Sequence, residues 1–284
     1  MITFAFALQN YTNMSATSES LSVWIEKMPQ RGYYTFTKMD IEEHFPSMSK
    51  NYIKSSLHRL AVRKIIISPW RNFYVVIPTE FALKGIIPPV FFMDAFMKFV
   101  NRQYYVALLN AAVFYGASHQ SPQTFTVMTT SPTLRDVMKN GNSIVFVSRK
   151  EIPTAYIQQK KTQTGYINVS SPELTAVDLV AFEKNVGGLN RVCTVLNELI
   201  ESVDFNRVHA DFFMFTAAPV IQRLGYIIEF LLEDKKQADI LYGCAKSADM
   251  VFRKIPFKVE KSTDGCELND RWKVIINQKI EIDE

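Results

Sequence analysis

The apolar positions of the first eighty residues recur at helical spacing in three successive segments. In the third, residues 50–64, Ile53, Leu57 and Leu60 fall four and then three residues apart, as on one face of a helix. The first segment ends before Pro29, and the second begins after Thr37, a residue type that caps helix N-termini. The pattern predicts three amphipathic helices, whose apolar positions are Leu21, Trp24, Ile25, Met28, Met39, Ile41, Phe45, Ile53, Leu57 and Leu60.

Two β-prone stretches follow the third helix. Residues 65–68 and 73–77 are rich in Ile, Val and aromatic side chains, and the turn-forming residues 69–72 separate them, which predicts a β-hairpin. A further short aromatic stretch, residues 33–36, precedes the second helix. The order helix, strand, helix, helix, hairpin is typical of a winged helix-turn-helix. We predict this domain over residues 18–78, after a flexible leader at 1–17 in which Met14 is an alternative start.

Beyond Pro78 the chain mixes apolar helices and strands without a strict alternation. Residues 79–90 contain Gly85, Pro88 and Pro89 and predict a linker. Residues 91–99 and 103–114 predict two buried helices, and residues 124–129, 143–147 and 165–169 predict strands. Further helices are predicted to begin at Pro172, Leu189 and Val220. The expected fold is α+β, with the winged helix-turn-helix followed by a larger mixed α/β domain over residues 91–284.

The charge of the chain is concentrated in its N-terminal part. The formal net charge is only +4, yet no Asp or Glu occurs between Glu43 and Glu80. A local excess of positive charge of this kind is an electrostatic footprint for nucleic acid, although many charge runs are simply solvated surface. The six cations of this stretch are Lys50, Lys54, Arg59, Arg63, Lys64 and Arg71.

The third helix is predicted to turn a polar face away from its apolar one. Asn, Lys, Ser and Arg side chains form the hydrogen bonds to base edges and phosphates that a helix in the major groove requires. We expect Lys50 and Lys54 to contact phosphates and Arg71, at the hairpin tip, to contact a phosphate or the minor groove. Winged helices also bind proteins or RNA, but the acidic gap favours duplex DNA. The predicted DNA-binding residues are Lys50, Asn51, Lys54, Ser55, His58, Arg59 and Arg71.

The sequence shows no convincing catalytic, metal or cofactor motif. The three cysteines form no CxxC spacing, which favours a reducing cytoplasm, and none of the four histidines pairs with another ligand at metal-binding spacing. Residues 2–8 are apolar but far too short to span a membrane. Gly187 and Gly188 lack the rest of a phosphate-binding loop. We therefore expect a cytoplasmic protein that is not an enzyme and has no cofactor, no metal and no membrane contact.

A nuclease-like enzyme is the minority alternative, and it depends on two acidic residues. Glu173 and Asp178 lie five positions apart on one predicted helix, about 140° around its axis, so they form no close carboxylate pair unaided. Ser118 beside His119 suggests a nucleophile, but no surrounding motif supports it, and a hydrogen-bonding pair at a helix end is the favoured interpretation.

At several blocks the chain resembles the AbiEi antitoxins of type IV toxin–antitoxin systems, which act in phage abortive infection. Together these blocks are specific, whereas each alone is not, and the resemblance covers nearly the whole chain after its first fourteen residues. The blocks are residues 74–81, 104–109, 115–120, 169–180, 187–192 and 222–226, with Gly85, Pro88 and Pro89.

The resemblance implies two roles. Members of the family bind inverted repeats in their own promoter through an N-terminal winged helix, and their C-terminal domain counteracts a cognate AbiEii-type nucleotidyltransferase toxin. The N-terminal role falls here on Lys50, Lys54, Arg59 and Arg71, and we expect Arg191 and Arg223 to face a partner. The alternative is a regulator without antitoxin activity, whose large domain binds a ligand or dimerises.

Overall fold

The computed structural model describes residues 19–117 and 122–281. The predicted leader, the alternative start at Met14 and the Ser118–His119 pair therefore lie outside the described residues. The chain forms two compact units, which meet along the chain between Ile87 and Pro88. The molecule combines helices with several sheets, so it belongs to the α+β class. No helix within the described ranges is long and apolar enough to cross a membrane.

The smaller unit contains the three predicted helices, and polar caps begin each of them. Helix α1 spans Leu21–Lys27, α2 spans Lys38–His44 and α3 spans Lys50–Val62. Thr37 and Asp40 form a reciprocal capping box at α2, and the Ser49 hydroxyl accepts a hydrogen bond from the Tyr52 N–H at α3. These caps satisfy backbone donors that a helix leaves open, and so they fix where each helix starts.

A three-stranded antiparallel sheet packs with these helices. Strands β1 (Thr35–Thr37), β2 (Ile66–Trp70) and β3 (Phe73–Val76) lie in the order β1-β3-β2. The predicted turn over residues 69–72 is too long, because β2 continues through Pro69 to Trp70, which pairs with Phe73. A register shift between Ile67 and Trp70 accommodates Pro69, which has no N–H to give to a ladder.

The larger unit is built on a six-stranded mixed sheet, with the order β6-β7-β5-β4-β9-β8. The β4–β9 and β5–β7 pairs are parallel, and the other three pairs are antiparallel. β8 is an outer strand and pairs only with β9 among the described strands. The strands are β4 (Tyr104–Val106), β5 (Phe125–Thr130), β6 (Val137–Lys139), β7 (Asn142–Arg149), β8 (Ile157–Thr162) and β9 (Gly165–Ser170).

The helix predicted over residues 103–114 is wrong in its first half. Tyr104–Val106 is a central strand, and only Leu108–Val113, helix α5, is helical; α4 before it spans Met93–Phe99. Tyr104, Tyr105 and Val106 are all buried. A strand buried on both faces shows a continuous apolar run rather than an alternation, and periodicity cannot distinguish such a run from a buried helix.

Helices and a small C-terminal sheet complete the larger unit. The remaining helices are α6 (Pro172–Ala181), α7 (Glu183–Val186), α8 (Leu189–Leu199), α9 (Ala218–Tyr226), continued by a π-helical turn at Ile227–Leu231, and α10 (Lys235–Ser247). Three two-residue strands follow, β10 (Ile255–Pro256), β11 (Leu268–Asn269) and β12 (Val274–Ile275). Helices α6, α8, α9 and α10 share one apolar core with Tyr105 and Trp272.

Trp272 attaches the C-terminal segment to α9. Its ring lies directly against Gly225, where a Cβ atom would overlap it. Its indole N–H donates to Glu229 over 2.6 Å, and its carbonyl accepts a hydrogen bond from Gln222, also over 2.6 Å. A glycine at position 225 is therefore required by close packing rather than by the local backbone.

Candidate nucleic-acid interface

Helix α3 has one buried and one exposed face. Ile53, Leu57 and Leu60 pack into the core of the smaller unit, beside Leu21, Ile25 and Ile41. The opposite face is solvent-exposed and carries every residue that the sequence predicted to point outward. These residues are Lys50, Asn51, Lys54, Ser55, His58 and, at the flank, Arg59. Tyr52 and Val62 are also exposed on this helix, at 47% and 69%.

The cations of this face are available for an external anion. Among the described residues, neither Lys50 nor Lys54 forms an ion pair, and the same holds for Arg59 and Arg71. The Arg59 guanidinium donates to the Ser56 hydroxyl over 3.1 Å, which holds it along the helix without neutralising its charge. Exposed cations without carboxylate partners keep their full attraction for phosphate.

The hairpin between β2 and β3 places Arg71 at an exposed tip. Its loop consists of Arg71 and Asn72 alone, and Asn72 adopts a left-handed φ of 63°, which Asn tolerates better than most residues. The Asn72 carbonyl accepts a hydrogen bond from the Lys38 N–H over 3.0 Å. The tip is thereby attached to the first residue of α2, so Arg71 and α2 keep a defined spacing.

The two arginines predicted to face a partner differ in their surroundings. Arg191, on α8, is exposed. Arg223, on α9, is half-buried, and its Nε donates to the Pro256 carbonyl over 3.2 Å. Burial lowers the pKa of Arg223, and Glu183 and Glu260 oppose that shift. Arg223 therefore joins α9 to β10, and its role toward a partner remains a prediction.

Glu173 and Asp178 are both buried in the larger unit. Glu173 accepts a hydrogen bond from the Asp204 N–H over 3.0 Å. Asp178 accepts one from the Tyr105 hydroxyl over 2.8 Å and forms an ion pair with Arg149 over 2.6 Å. Internal donors occupy these carboxylates, so the two residues offer no open pair for a nuclease-like reaction.

Arg149 and Tyr105 are central residues of the larger unit that sequence reasoning did not single out. Arg149 ends β7 and also donates to the Phe215 carbonyl over 2.6 Å, so it joins the sheet, α6 and the segment before α9. A lone arginine in the polar sequence of residues 148–151 gives no sign of burial. The useful signal was Asp178 among the apolar residues of the second half of α6, because a buried carboxylate requires an opposite charge or hydrogen-bond donors.

The described residues contain no cluster of three or more His, Cys, Asp or Glu side chains that could hold a metal ion. Cys193, Cys244 and Cys266 are free thiols. Burial raises the pKa of Cys193 to about 12, with a further contribution from Glu183. A thiol that stays protonated at neutral pH is a poor nucleophile.

Comparison with known proteins finds a family match within the larger unit. Residues 105–230 match the family model of the AbiEi antitoxin C-terminal domain, which confirms the resemblance seen in the sequence for that part of the chain. The crystal structure of the RV2827C protein from Mycobacterium tuberculosis has a similar fold. The TM-score is 0.64 at 14% identity, over 89% of this chain and 90% of that chain. No curated protein gives a significant match.

Proposed function

We propose that the chain, whose residues 105–230 match the model of the AbiEi antitoxin C-terminal domain, is both a DNA-binding autorepressor and the antitoxin of a type IV toxin–antitoxin system. In this proposal the smaller unit is a winged helix-turn-helix that binds inverted repeats in its own promoter. The larger unit counteracts a cognate AbiEii-type nucleotidyltransferase toxin.

The observation that carries the DNA-binding half is the exposed basic face of α3. An α-helix fits the major groove of B-DNA, where Asn51 and Ser55 are suited to hydrogen bonds with base edges. Lys50, Lys54 and Arg59 supply positive charge beside them, and Arg71 extends the charge to the hairpin tip. A helix in the groove with a hairpin beside it is the docking geometry that we propose for this unit.

A charge-reversal experiment tests this half. Fluorescence anisotropy with a labelled duplex from upstream of the protein's own gene should show tight binding that weakens as salt rises. Replacing Lys54 and Arg59 with Glu should weaken binding at least a hundredfold, because two attractive phosphate contacts become repulsive. Intact binding by this variant would contradict the proposal.

The matched control changes the net charge by the same amount within the larger unit. Lys235 and Lys236 are exposed at the start of α10, and replacing both with Glu should leave DNA affinity within about twofold. Equal losses in the two double variants would indicate a dependence on net charge alone and would exclude a specific role for α3.

Co-expression tests the antitoxin half. We expect the wild-type protein to restore the growth of cells that express the nucleotidyltransferase encoded beside its gene. The Lys54→Glu, Arg59→Glu variant should also restore growth from an independent promoter, because its larger unit is unchanged. Failure of the wild type to restore growth would favour the alternative of a regulator without antitoxin activity.

A further inference from the structure

A half-open cavity of about 310 Å³ lies in the larger unit, and its lining includes none of the residues considered above for DNA or partner binding. Its wall includes Pro88, Pro89, Val113, Phe114 and Phe125, and no described residue that lines it carries a charge. Small-molecule sites have volumes of roughly this size and combine apolar walls with a few placed polar groups. A charged ligand would lose its hydration here without gaining a counter-charge.

One polar side chain in the wall has an unused donor. Asn110, on α5, is 8% exposed, and its Oδ1 accepts a hydrogen bond from the Thr126 N–H over 2.8 Å. This bond serves a structural need, because β4 ends at Val106 and leaves the first residues of β5 without a full ladder partner. The Asn110 amide nitrogen has no hydrogen-bond partner among the described residues, although this side chain lines the cavity.

Orienting the acceptor orients the donor as well. The side-chain amide is planar, so the bond to Thr126 fixes the direction of the two N–H groups on the same plane. The Asn110 N–H groups are not used within the described protein, so a ligand carbonyl in the cavity can accept a hydrogen bond from them. The walls favour a flat, rigid ligand. Phe114 and Phe125 present aromatic surface, and the prolines have restricted backbones.

We propose that this cavity is a binding site for an uncharged aromatic molecule that carries a carbonyl oxygen, and that the Asn110 amide donates to that oxygen. The apolar walls contact the rings, and the uncharged side chains of the described lining disfavour carboxylates and amines. This site is independent of the proposed DNA-binding and antitoxin roles.

The test uses the full chain and two probes of equal shape. 2-Naphthamide has two rings and an uncharged carbonyl, whereas 2-naphthoate has the same rings and a carboxylate. Titration calorimetry should give saturable binding of 2-naphthamide in the submillimolar range and binding of 2-naphthoate that is at least tenfold weaker. No saturable binding of 2-naphthamide, or equal binding of both probes, would overturn the proposal.

Variants locate the site. Val113 is 42% exposed and lines the cavity, so Val113→Trp should fill it and weaken 2-naphthamide binding at least tenfold. Val251 is 68% exposed and does not line the cavity, so Val251→Trp should bind as the wild type does. Asn110→Asp keeps the acceptor for Thr126 and deletes the amide donor, and it too should weaken binding. Unchanged binding by Val113→Trp would place the probe elsewhere and refute the assignment, even if Asn110→Asp failed to fold.

Discussion

Asp178 and Arg149 form a buried ion pair, and its contribution to the free energy of unfolding depends on both partners being present. The Asp178 side chain is fully buried and that of Arg149 is 10% exposed. Removing two ions from water is expensive, and their mutual attraction repays the cost only when geometry and extra hydrogen bonds are good. Tyr105 and the Phe215 carbonyl supply those extra bonds. The pair therefore specifies how sheet and helices meet more than it adds net stability.

Breaking the pair from one side has a predictable cost. Arg149→Met leaves the Asp178 carboxylate buried without its cation, and we expect a loss of about 3–5 kcal/mol in unfolding free energy. Lys150→Met, at the exposed neighbouring residue, should change it by less than about 0.5 kcal/mol. Urea denaturation followed by circular dichroism measures both variants. A small loss for Arg149→Met would mean that the carboxyl is neutral or reached by water.

The same carboxyl gives the larger unit a defined pH dependence. Burial raises the pKa of Asp178 to about 6 from its usual 3.8, against the opposing effects of Arg149 and the Tyr105 hydroxyl. Between pH 3.8 and about pH 6 the folded state binds more protons than the unfolded state. The contribution of Asp178 to stability therefore falls as the pH rises through this range. Asp178→Asn cannot titrate, and the wild-type minus variant difference in unfolding free energy should decrease from pH 4 to 6.5 and then level off. A difference that rises over this range would show a lowered pKa.

For two glycines in helices of the larger unit, we expect replacement by alanine to change the stability in opposite directions. Gly225, on α9, contacts the Trp272 ring, so Gly225→Ala forces α9 and the C-terminal segment apart. We expect it to destabilise the protein by about 1–3 kcal/mol. Gly243, on α10, has open space at its Cβ position, and Gly243→Ala should stabilise by roughly 0.5–1 kcal/mol, because alanine favours the helix. Thermal unfolding measures both effects. A lower midpoint for Gly225→Ala reports the overlap with Trp272, and a higher midpoint for Gly243→Ala reports the helix propensity of alanine.

Sequence patterns predicted the elements that have one apolar face and a capping residue or proline at their ends. The three helices of the smaller unit are amphipathic and capped, and Pro172 marked the start of α6. β4 was missed because both of its faces are buried, and β8 because its outer position leaves it polar, with the sequence IQQKKT. The two-residue strands near the C-terminus depend on Trp272 and long-range pairing, which no local pattern encodes.

The candidate interface was more predictable than the cavity. Helical periodicity alone assigned Asn51, Lys54 and His58 to the exposed face, because Ile53, Leu57 and Leu60 define the buried one. The cavity brings together residues 88–90, α5 and the first residues of β5 and β7, which tertiary folding alone places side by side. In the sequence Asn110 is only a polar residue within an apolar helix.

At the scale of the whole molecule, the low net charge makes the location of cations decisive. If Lys50, Lys54, Arg59 and Arg71 each contact one phosphate, the logarithm of the binding constant should fall with the logarithm of salt concentration with a slope of about −4. Lys54→Met should make the slope less negative by about one, whereas Lys235→Met should not change it. Anisotropy titrations between 50 and 300 mM salt measure the slopes, and an unchanged slope for Lys54→Met would remove this lysine from the phosphate contacts.

The outer position of β8 has a consequence for how the protein behaves in concentrated solution. An outer strand presents backbone groups with which a second chain can pair, and β8 contributes six residues in regular register with β9. Lys160 and Lys161 are the fourth and fifth residues of that strand, where like charges repel a second copy that approaches edge to edge. The Lys160 ammonium also lies over the Tyr115 ring, 4.4 Å from its centroid. We therefore expect these two adjacent lysines to oppose edge-to-edge association of the protein in concentrated solution.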